Sequence, residues 1–520
     1  MSATTLGRTR RAVATFAVAM VAVSVLGTGV ARAAGPTVTG TGSSFAALEI
    51  EQWKGDVSRN PYNLTINYQA GGSTQGRLNY LNGTVDFGAS DIEFQPDEQR
   101  LIDGSDRKDF VYVPVSSGPL SFMFNVMGTD GRRITGLNVT RRDVCRIFTE
   151  PQIMWNDPGI AASNPGVPLP ASKIRPVVRN DGSGTSFVLS EFCMNVVPDV
   201  WATFKAYVRD NVPDQNSVPL RDGLPVSTWP QGIGAATGAT ASNGVAQTVQ
   251  SLADSITYVD AATTIVSEID GNRAPVLNVE NAVGAFVHPE PAAATIALAY
   301  ATPRPNGTFQ LHYDGADPGA YFPSTYSYVI AQTTGFDPAK GQVLGAFLNY
   351  AVTAGQRYVE ELEYSRLSTV LVNLALDKVQ QIPGAPPRPT DLEGAPPPPD
   401  VVAGVATPGG SAGGPGADQA GASGGSSGGA GSGSAGGTTA GATTPEQAAA
   451  AAAAAQAAAA QAAATEAAMA ADAAASQEVA AVGTTGPGTR EVVFTMLIGA
   501  LLVAGGSFVS RSTRAQWRQR

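Results

Sequence analysis

The sequence reads T-V-D-F-G-A-S-D over residues 84–91 and R-N-D-G-S-G-T-S-F over residues 179–187, and two shorter segments, G-T-G-S-S-F at 40–45 and G-G-S-T at 71–74, have the same character. All four combine glycines with small hydroxyl residues at expected junctions between a strand and a helix. Glycine lets the backbone approach a ligand, and a helix N-terminus presents free N–H groups. Hydroxyls and an arginine fork add donors suited to oxyanions. Together the segments predict an anion site that needs no metal.

The sequence around these segments predicts an α/β fold. Short β-rich runs at 64–68, 110–115 and 120–126 alternate with turn signals and helical stretches. The clearest helix is expected at Gly341–Tyr350, where apolar residues recur at helical spacing. Strands mixed with helices are typical of an α/β domain. Residues 36–382 exceed what one core usually supports, so two lobes are expected.

Composition excludes several function classes. The 520 residues include 33 Lys+Arg and 43 Asp+Glu, a formal net charge of −10, which argues against nucleic acid as a partner. Two cysteines exclude Cys₄ zinc sites, and two histidines leave little for histidine-based metal sites or catalytic triads. The chain is therefore predicted to be a binding protein rather than an enzyme, with no cofactor and no metal.

The N-terminus, residues 1–33, is predicted to be a signal peptide. Arg8, Arg10 and Arg11 precede an apolar run from about residue 12 to residue 30, and Ala31-Arg32-Ala33 has the pattern of a cleavage site. The alternative is an uncleaved N-terminal membrane anchor, because the apolar run is long for a signal peptide.

Beyond the globular part, the composition predicts a stalk and an anchor. Residues 383–443 form a Pro/Gly/Ser-rich linker, and residues 444–482 are an alanine-rich tract that is either a long helix or disordered. Residues 492–510 carry no charge over a length that spans a bilayer, and the basic tail 511–520 follows. The positive-inside rule places this tail in the cytoplasm and the globular part outside the membrane.

The ordered set of motifs resembles the phosphate-binding proteins of ABC-type phosphate transporters. Residues 84–91 and 179–187 match that family's pattern nearly letter for letter, and weaker similarity continues through 229–230, 255–259 and 324–328. The resemblance covers residues 36–382 and implies a two-lobed, periplasmic-binding-protein-like (type II) fold that closes on its ligand. It also implies that the chain crosses between lobes near 115–120 and 290–300.

Carried over position by position, the resemblance implies a ligand set and a residue that supports it. Asp181 would hold Arg179 in place, and Asp91 would accept the proton that phosphate still carries at neutral pH, which fully ionised sulfate lacks. The alternative for Asp91 is a helix N-cap. The implied phosphate ligands are Ser44 and Phe45, the latter through its backbone N–H, together with Ser73, Asp91, Arg179, Ser183, Gly184 and Thr185.

The two cysteines, Cys145 and Cys193, are candidates for a disulfide in an exported protein. A disulfide that encloses the 47 residues between them would stabilise the fold by about 4 kcal/mol in the chain-entropy model. The alternative is two separate buried thiols.

The leading hypothesis is an extracytoplasmic protein, anchored in the cell membrane by its C-terminal helix, that captures inorganic phosphate. It would deliver phosphate to the permease and ATPase subunits of an ABC-type importer. The alternative is a cell-surface structural or sensory protein that uses the same head to bind a different oxyanion or a partner. An enzyme on the same fold is disfavoured, because the sequence has no obvious nucleophile–base pair.

Overall fold

The computed structural model describes residues 35–390. The predicted signal peptide, most of the linker, the alanine-rich tract, the membrane helix and the basic tail lie outside these residues. Within 35–390, the helices are all too short or too polar to cross a membrane.

The described residues alternate between strands and helices, as expected of an α/β chain. The strands are β1 (Val38–Gly42), β2 (Ile66–Gln69), β3 (Phe87–Ser90), β4 (Phe110–Asn125), β5 (Leu137–Val139), β6 (Arg175–Arg179), β7 (Thr237–Ala239), β8 (Ser255–Asp260), β9 (Glu268–Ile269), β10 (Asn272–Arg273), β11 (Leu277–Glu280), β12 (Phe286–Val287), β13 (Thr302–Pro303), β14 (Phe309–Gln310) and β15 (Ser324–Gln332). The α-helices are α1 (Ala47–Val57), α2 (Ser73–Leu81), α3 (Pro96–Asp103), α4 (Arg141–Thr149), α5 (Pro158–Ser163), α6 (Gly184–Val196), α7 (Pro198–Asn211), α8 (Val218–Asp222), α9 (Ala241–Ser251), α10 (Ala261–Ile265), α11 (Pro291–Leu298), α12 (Pro338–Ala351) and α13 (Thr369–Val379). Short 3₁₀ turns occupy Pro213–Gln215, Ala354–Arg357 and Glu360–Leu362.

One eight-stranded sheet runs through the molecule in the order β2-β1-β3-β15-β4-β8-β6-β7. β1 pairs in parallel with β2 and β3, and β6 pairs in parallel with β7 and β8. β15 and β4 lie antiparallel between these two groups. Each parallel group feeds helices from the carboxyl ends of its strands, which is where ligands bind in open α/β sheets.

Strand β4 joins the two lobes, and its length differs from the sequence-based prediction. The sequence predicted separate strands at 110–115 and 120–126, because Ser116-Ser117-Gly118-Pro119 has the composition of a turn. The structure has a single strand of 16 residues instead. Its first part, through Pro119, pairs with β15, and its second part, from Leu120, pairs with β8. Pairing of residues 116–119 with β15 overrides the local turn preference, so the backbone passes from lobe to lobe within one strand.

The two largest apolar cores mark the lobes. The core of the first lobe contains Trp53, Phe87 and Phe347, and the core of the second contains Trp155 and Trp229. These tryptophan side chains are buried. After α11 the chain contributes to both cores again: Leu298 and Ala301 lie in the core of the first lobe, and residues 313–322 contribute to the core of the second. β15 then returns the chain to the first lobe.

Helix α12 shows how local sequence determines an element of the first lobe. The Asp337 side chain caps it by accepting from the N–H of Ala339, and Pro338 occupies its first turn. Its apolar positions, Val343, Leu344, Phe347 and Leu348, are buried against the sheet. The helix predicted at 341–350 is confirmed and extends slightly at both ends.

Cys145 in α4 and Cys193 in α6 form a disulfide in the core of the second lobe. It ties together two helices that are 48 residues apart in the chain. In this structure the alternative of two separate thiols does not hold, since both cysteines are bonded.

Candidate functional site

The first lobe brings three of the glycine- and hydroxyl-rich segments together. Ser43 and Ser44 follow β1 and precede α1, Ser73 is the first residue of α2, and Asp91 directly follows β3. β1 and β3 are neighbouring parallel strands, so their carboxyl ends meet at one edge of the sheet. The N-termini of α1 and α2 lie at the same edge, and their dipoles favour an anion there.

Asp91 is the centre of the first-lobe half of the site. Its side chain is buried, and hydroxyls from three separate segments donate to it. Ser43 Oγ and Ser327 Oγ, the latter at 2.8 Å, donate to Oδ1, and Ser73 Oγ donates to Oδ2 at 3.0 Å. A carboxylate oxygen can accept two hydrogen bonds. Because Oδ2 has one donor among residues 35–390, it can accept one further hydrogen bond from a ligand.

Burial raises the pKa of Asp91 above its ordinary value, since desolvation disfavours the charged carboxylate. The hydroxyls of Ser43, Ser327 and Ser73 and the charge of Arg179 act in the opposite direction. The site thus contains a carboxylate that is costly to bury and is stabilised by donors aimed at it. Asp91 is not a helix N-cap, because the next helix, α3, begins at Pro96 and is capped by Gln95.

The second lobe contributes a buried guanidinium. Arg179, at the end of β6, is 1% exposed. Asp181 binds it through two hydrogen bonds, from Nε at 2.6 Å and from Nη2. Nη1 reaches across to the first lobe and donates to Ser44 Oγ at 3.1 Å. A guanidinium has five N–H donors, so these three contacts leave two for a ligand.

Two further interactions hold the backbone next to Arg179. The Tyr258 hydroxyl accepts from the Arg179 N–H at 3.0 Å and shares a hydrogen bond with Ser186 Oγ at 2.7 Å. The Asp181 carboxylate also accepts from the N–H of Ala241, at the start of α9, at 3.1 Å. Asp181 therefore fixes the guanidinium and the N-terminus of α9 relative to each other.

The N-terminus of α6 completes the second-lobe half. Ser183 caps this helix by accepting from the N–H of Ser186, and its hydroxyl shares a hydrogen bond of 2.6 Å with Thr185 Oγ1. Gly184, the first residue of the helix, lies directly against the first lobe. A Cβ there would stand 2.5 Å from Asp91 Oδ2 and 2.6 Å from Ser73 Oγ. Glycine is required at this position because the two lobes meet there.

The lobes are closed on each other at this site. The Thr74 N–H donates to the Gly182 carbonyl across the junction at 3.0 Å. Gly72 has a φ of +93° and approaches Asp181 and Gly182 so closely that a Cβ would stand within 2.8 Å of both. Closure therefore buries the charged and hydroxyl groups of both lobes together.

All the residues that the sequence named for the site lie at this junction. The structure adds Ser43, Ser242, Tyr258 and Ser327, which the ligand set did not include. Ser43 lies in the motif at 40–45 and Ser327 in the segment 324–328 that resembles the family, but nothing in their local sequence indicates that they donate to Asp91. Ser242 comes from α9, and its sequence carries no recognised signal. Among residues 35–390, no group of three or more His, Cys, Asp or Glu side chains has an arrangement suited to a metal ion.

A family model described as a PBP superfamily domain matches residues 27–354. The match covers more than half of the chain and includes every site residue described above. The chain belongs to the PBP superfamily. This superfamily comprises substrate-binding proteins, so the prediction of a binding protein rather than an enzyme is confirmed.

Several curated proteins are similar over the same region. The phosphate-binding protein PstS of Xylella fastidiosa (strain 9a5c) is 29% identical over 338 residues, which are 64% of this chain and 82% of that protein. The phosphate-binding protein PstS 2 of Mycobacterium tuberculosis is 26% identical over 335 residues, or 62% and 80% of the two chains. Among solved structures, a phosphate-binding protein from Stenotrophomonas maltophilia aligns with a TM-score of 0.47 and 16% identity, covering 70% of this chain and all of that one.

Proposed function

We propose that the chain captures inorganic phosphate between its two lobes and delivers it to an ABC-type importer. The observation that carries this proposal is that a hydrogen-bond acceptor and a cation lie on opposite sides of the junction. Asp91, an acceptor, lies in the first lobe, and Arg179, a cation with two uncommitted N–H donors, lies in the second. The relatives that match this chain are named phosphate-binding proteins, which supports the same ligand.

The proposed ligand set is the one expected from the sequence. Arg179 binds two phosphate oxygens, and the N-termini of α1, α2 and α6 supply backbone N–H groups that have no partner within their own helices. The Ser44 hydroxyl and one of the Ser183 and Thr185 hydroxyls supply further donors, whereas the Ser73 hydroxyl is already donated to Asp91. The proposed contacts are Ser44, Phe45, Ser73, Asp91, Arg179, Ser183, Gly184 and Thr185, with Asp181 holding Arg179.

Asp91 determines the choice of anion in this proposal. Phosphate at neutral pH carries a proton, which it can donate to Asp91 Oδ2. Sulfate has no proton to donate, so it would meet a buried acceptor without a donor and a like charge at short range. The hydroxyls on Asp91 favour the ionised form that performs this discrimination.

Release follows from opening of the lobes around β4. Opening would break the contacts that cross the junction, including Arg179 to Ser44 and Thr74 to Gly182. Water would then hydrate the groups that had been paired across the junction. The bound and free states would differ by a hinge motion within a continuous sheet.

The proposed location is outside the cytoplasm, at the membrane. The disulfide between Cys145 and Cys193 is consistent with an oxidising compartment. Residues 1–33 would direct export, and residues 492–510 would anchor the chain after the linker has set the reach of the head. In this arrangement the head stays close to the permease that receives the phosphate.

The test is isothermal titration of the full-length chain, stripped of endogenous ligand, with phosphate and then with sulfate. We expect tight 1:1 binding of phosphate and no binding of sulfate at the same concentrations. A folded chain that binds neither anion would refute the proposal. Phosphate uptake by cells that lack the gene, with and without a plasmid copy, tests delivery, and unchanged uptake would refute that part alone.

A further inference from the structure

Ser327 donates to Asp91 from a strand that lies far away in the chain. β15 runs antiparallel to β3, with Tyr328 opposite Ser90. Extending this register by one residue places Ser327 opposite Asp91, which directly follows β3. Side chains of directly opposed residues in an antiparallel pair are close neighbours. The Ser327 hydroxyl donates to Asp91 Oδ1 at 2.8 Å, and both residues are buried.

The pairing of β15 with β4 changes register at the same residue. Ser327 lies opposite Ser116, whereas Tyr328 lies opposite Pro114, so Val115 is the extra residue of a β-bulge. Proline cannot donate to a strand ladder, and within a sheet it is tolerated at such bulges. Bulges disturb the ladder locally and re-aim side chains, often next to functional sites. β15 therefore changes its pairing at the residue whose hydroxyl reaches the acceptor of the site.

The three hydroxyls on Asp91 differ in what else they hold. Ser43 Oγ also accepts from the N–H of Ala46, the residue before α1, at 3.2 Å. Ser73 Oγ also accepts from the N–H of Asp91 itself, at 3.2 Å. Ser327 lies within a strand, where its hydroxyl caps no helix, and it donates to Asp91. Removing the Ser327 hydroxyl therefore changes the surroundings of the carboxylate and leaves the contacts at the start of α1 and α2 in place.

The donors fill the two oxygens of Asp91 unequally. Ser43 and Ser327 both donate to Oδ1, whereas Ser73 donates to Oδ2. A carboxylate oxygen accepts two hydrogen bonds, so Oδ1 is fully occupied and Oδ2 has room for one more. Oδ2 also lies next to the second lobe, since a Cβ at Gly184 would stand 2.5 Å from it. The oxygen that remains open is therefore the one at the junction of the lobes.

We infer that Ser327 is a positioning residue for anion selection: with Ser43 it occupies Oδ1 of Asp91, so that the carboxylate presents Oδ2 to the proton of the bound phosphate. The inference rests on the proposed capture of phosphate and assigns a role to a residue outside the proposed ligand set. Burial raises the pKa of Asp91, and Ser327 is among the donors that oppose the rise. Without Ser327, the ionised form that accepts the proton of phosphate is favoured less.

The experiment is isothermal titration of the full-length chain with inorganic phosphate, comparing the wild type with Ser327→Ala, Asp91→Asn and the double variant. Ser327→Ala should weaken phosphate binding about three- to tenfold, the range of one hydrogen bond. In the Asp91→Asn background the same change should cost less, because hydrogen bonds to charged groups are worth more than those to a neutral amide. Equal losses in the two backgrounds would show that Ser327 acts independently of Asp91 and would overturn the inference.

Competition by sulfate is the readout for selection. A protonated carboxylic acid can donate a hydrogen bond to sulfate, whereas the carboxylate cannot. Ser327→Ala favours the acid, so sulfate should displace phosphate from this variant at lower concentrations than from the wild type. An unchanged ratio of the two affinities would show that Ser327 does not select the anion, which also overturns the inference.

Ser121→Ala is the matched control. Ser121 is a buried serine of β4 whose hydroxyl has no hydrogen-bond partner within residues 35–390. Its removal should leave both affinities as in the wild type. A loss equal to that of Ser327→Ala would mean that any buried serine of these central strands has the same effect, and the specific role of Ser327 would be withdrawn.

Ser327→Cys separates the hydrogen bond from packing, because a thiol fills the space of the hydroxyl and donates only weakly. It should lose phosphate affinity as Ser327→Ala does, and wild-type affinity would show that only the volume matters. If Ser327→Ala does not fold, Ser327→Cys takes its place in the comparison with Asp91→Asn. Absence of phosphate binding by the wild type would overturn the proposed function as well, whereas the other contrary outcomes overturn the role of Ser327 alone.

Discussion

Two of the buried carboxyls in the first lobe, Asp91 and Glu49, have opposite surroundings. Asp91 is 5% exposed and accepts from the hydroxyls of Ser43, Ser73 and Ser327. Glu49 is 0% exposed, and among the described residues neither of its oxygens has a hydrogen-bond partner. Burial raises the pKa of both groups, but only Asp91 has several donors and a nearby cation that oppose the rise.

The difference shows that burial alone does not suit a carboxyl to the role proposed for Asp91. Asp91 lies where strands end and helices begin, so donors from three segments converge on it. Glu49 lies on the inner face of α1 against β4, where Ser116 lowers its pKa without completing a hydrogen bond. A charge is less costly at the first position than at the second, so the surroundings of Asp91 favour an ionised acceptor more than those of Glu49 do.

The largest expected effect comes from removing the cation that faces Asp91. Arg179→Ala should weaken phosphate binding by about a hundredfold or more, because it removes a desolvated charge and leaves Asp181 without its partner, a change typically worth about 2–5 kcal/mol. Isothermal titration measures it. Arg142→Ala, which breaks an exposed ion pair with Asp199, is the control and should bind as the wild type does. Equal affinities in the two variants would remove Arg179 from the site.

The second-largest effect is expected from replacing the Asp91 carboxylate with an amide, which removes the contrast with Glu49. Asp91→Asn should weaken phosphate binding by about ten- to a hundredfold, because the proton of the ligand loses an ionised acceptor. The same change should narrow the difference between phosphate and sulfate, which competition titration measures. Glu49→Gln is the matched carboxyl-to-amide change and should leave both affinities unchanged. An equal loss of phosphate affinity in both variants would mean that Asp91 is not distinguished by its donors.

Glu49 should instead control stability against pH. Its folded-state pKa is raised, so its stabilising contribution is fully present below the ordinary value of 4.5 and is lost as pH rises from there towards the folded pKa. The slope from one such group is at most about 1.4 kcal/mol per pH unit. Glu49→Gln removes this slope, so urea unfolding at pH 8 should show the variant to be more stable than the wild type. At pH 4.5 the two should be nearly equal, and a variant less stable at pH 8 would show that Glu49 is ionised and paired.

The smallest effect concerns the backbone next to Asp181. Ala241 has a φ of +58°, a left-handed conformation that is costly for a residue with a Cβ. Glycine relieves this strain but adds entropy to the unfolded chain, so Ala241→Gly should gain only about 0.5 kcal/mol. Thermal unfolding measures the gain. Phosphate affinity should not change, since the N–H that donates to Asp181 remains, and a weaker affinity would show that the strain itself shapes the site.

Much of this protein was determined by local sequence. The α/β class, the helix at α12 and the two-lobed fold follow from periodicity, caps and length or from the motif resemblance. The residues at 84–91 and 179–187 indicate where the site lies, because glycines and hydroxyls between a strand and a helix have few other uses in such density. Asp181 holds Arg179 over two residues of sequence, an interaction short enough to be expected without a structure.

Tertiary structure decided what local sequence could not. Ser116–Pro119 has turn composition but lies within β4, because β15 pairs with it from more than 200 residues away. The donors on Asp91 come from residues 43, 73 and 327, and the partner of Ser44 comes from residue 242. Whether a buried carboxyl is charged depends on such distant donors, since desolvation and hydrogen bonding act through space. Asp91 and Glu49 therefore differ in surroundings that only the folded chain assembles.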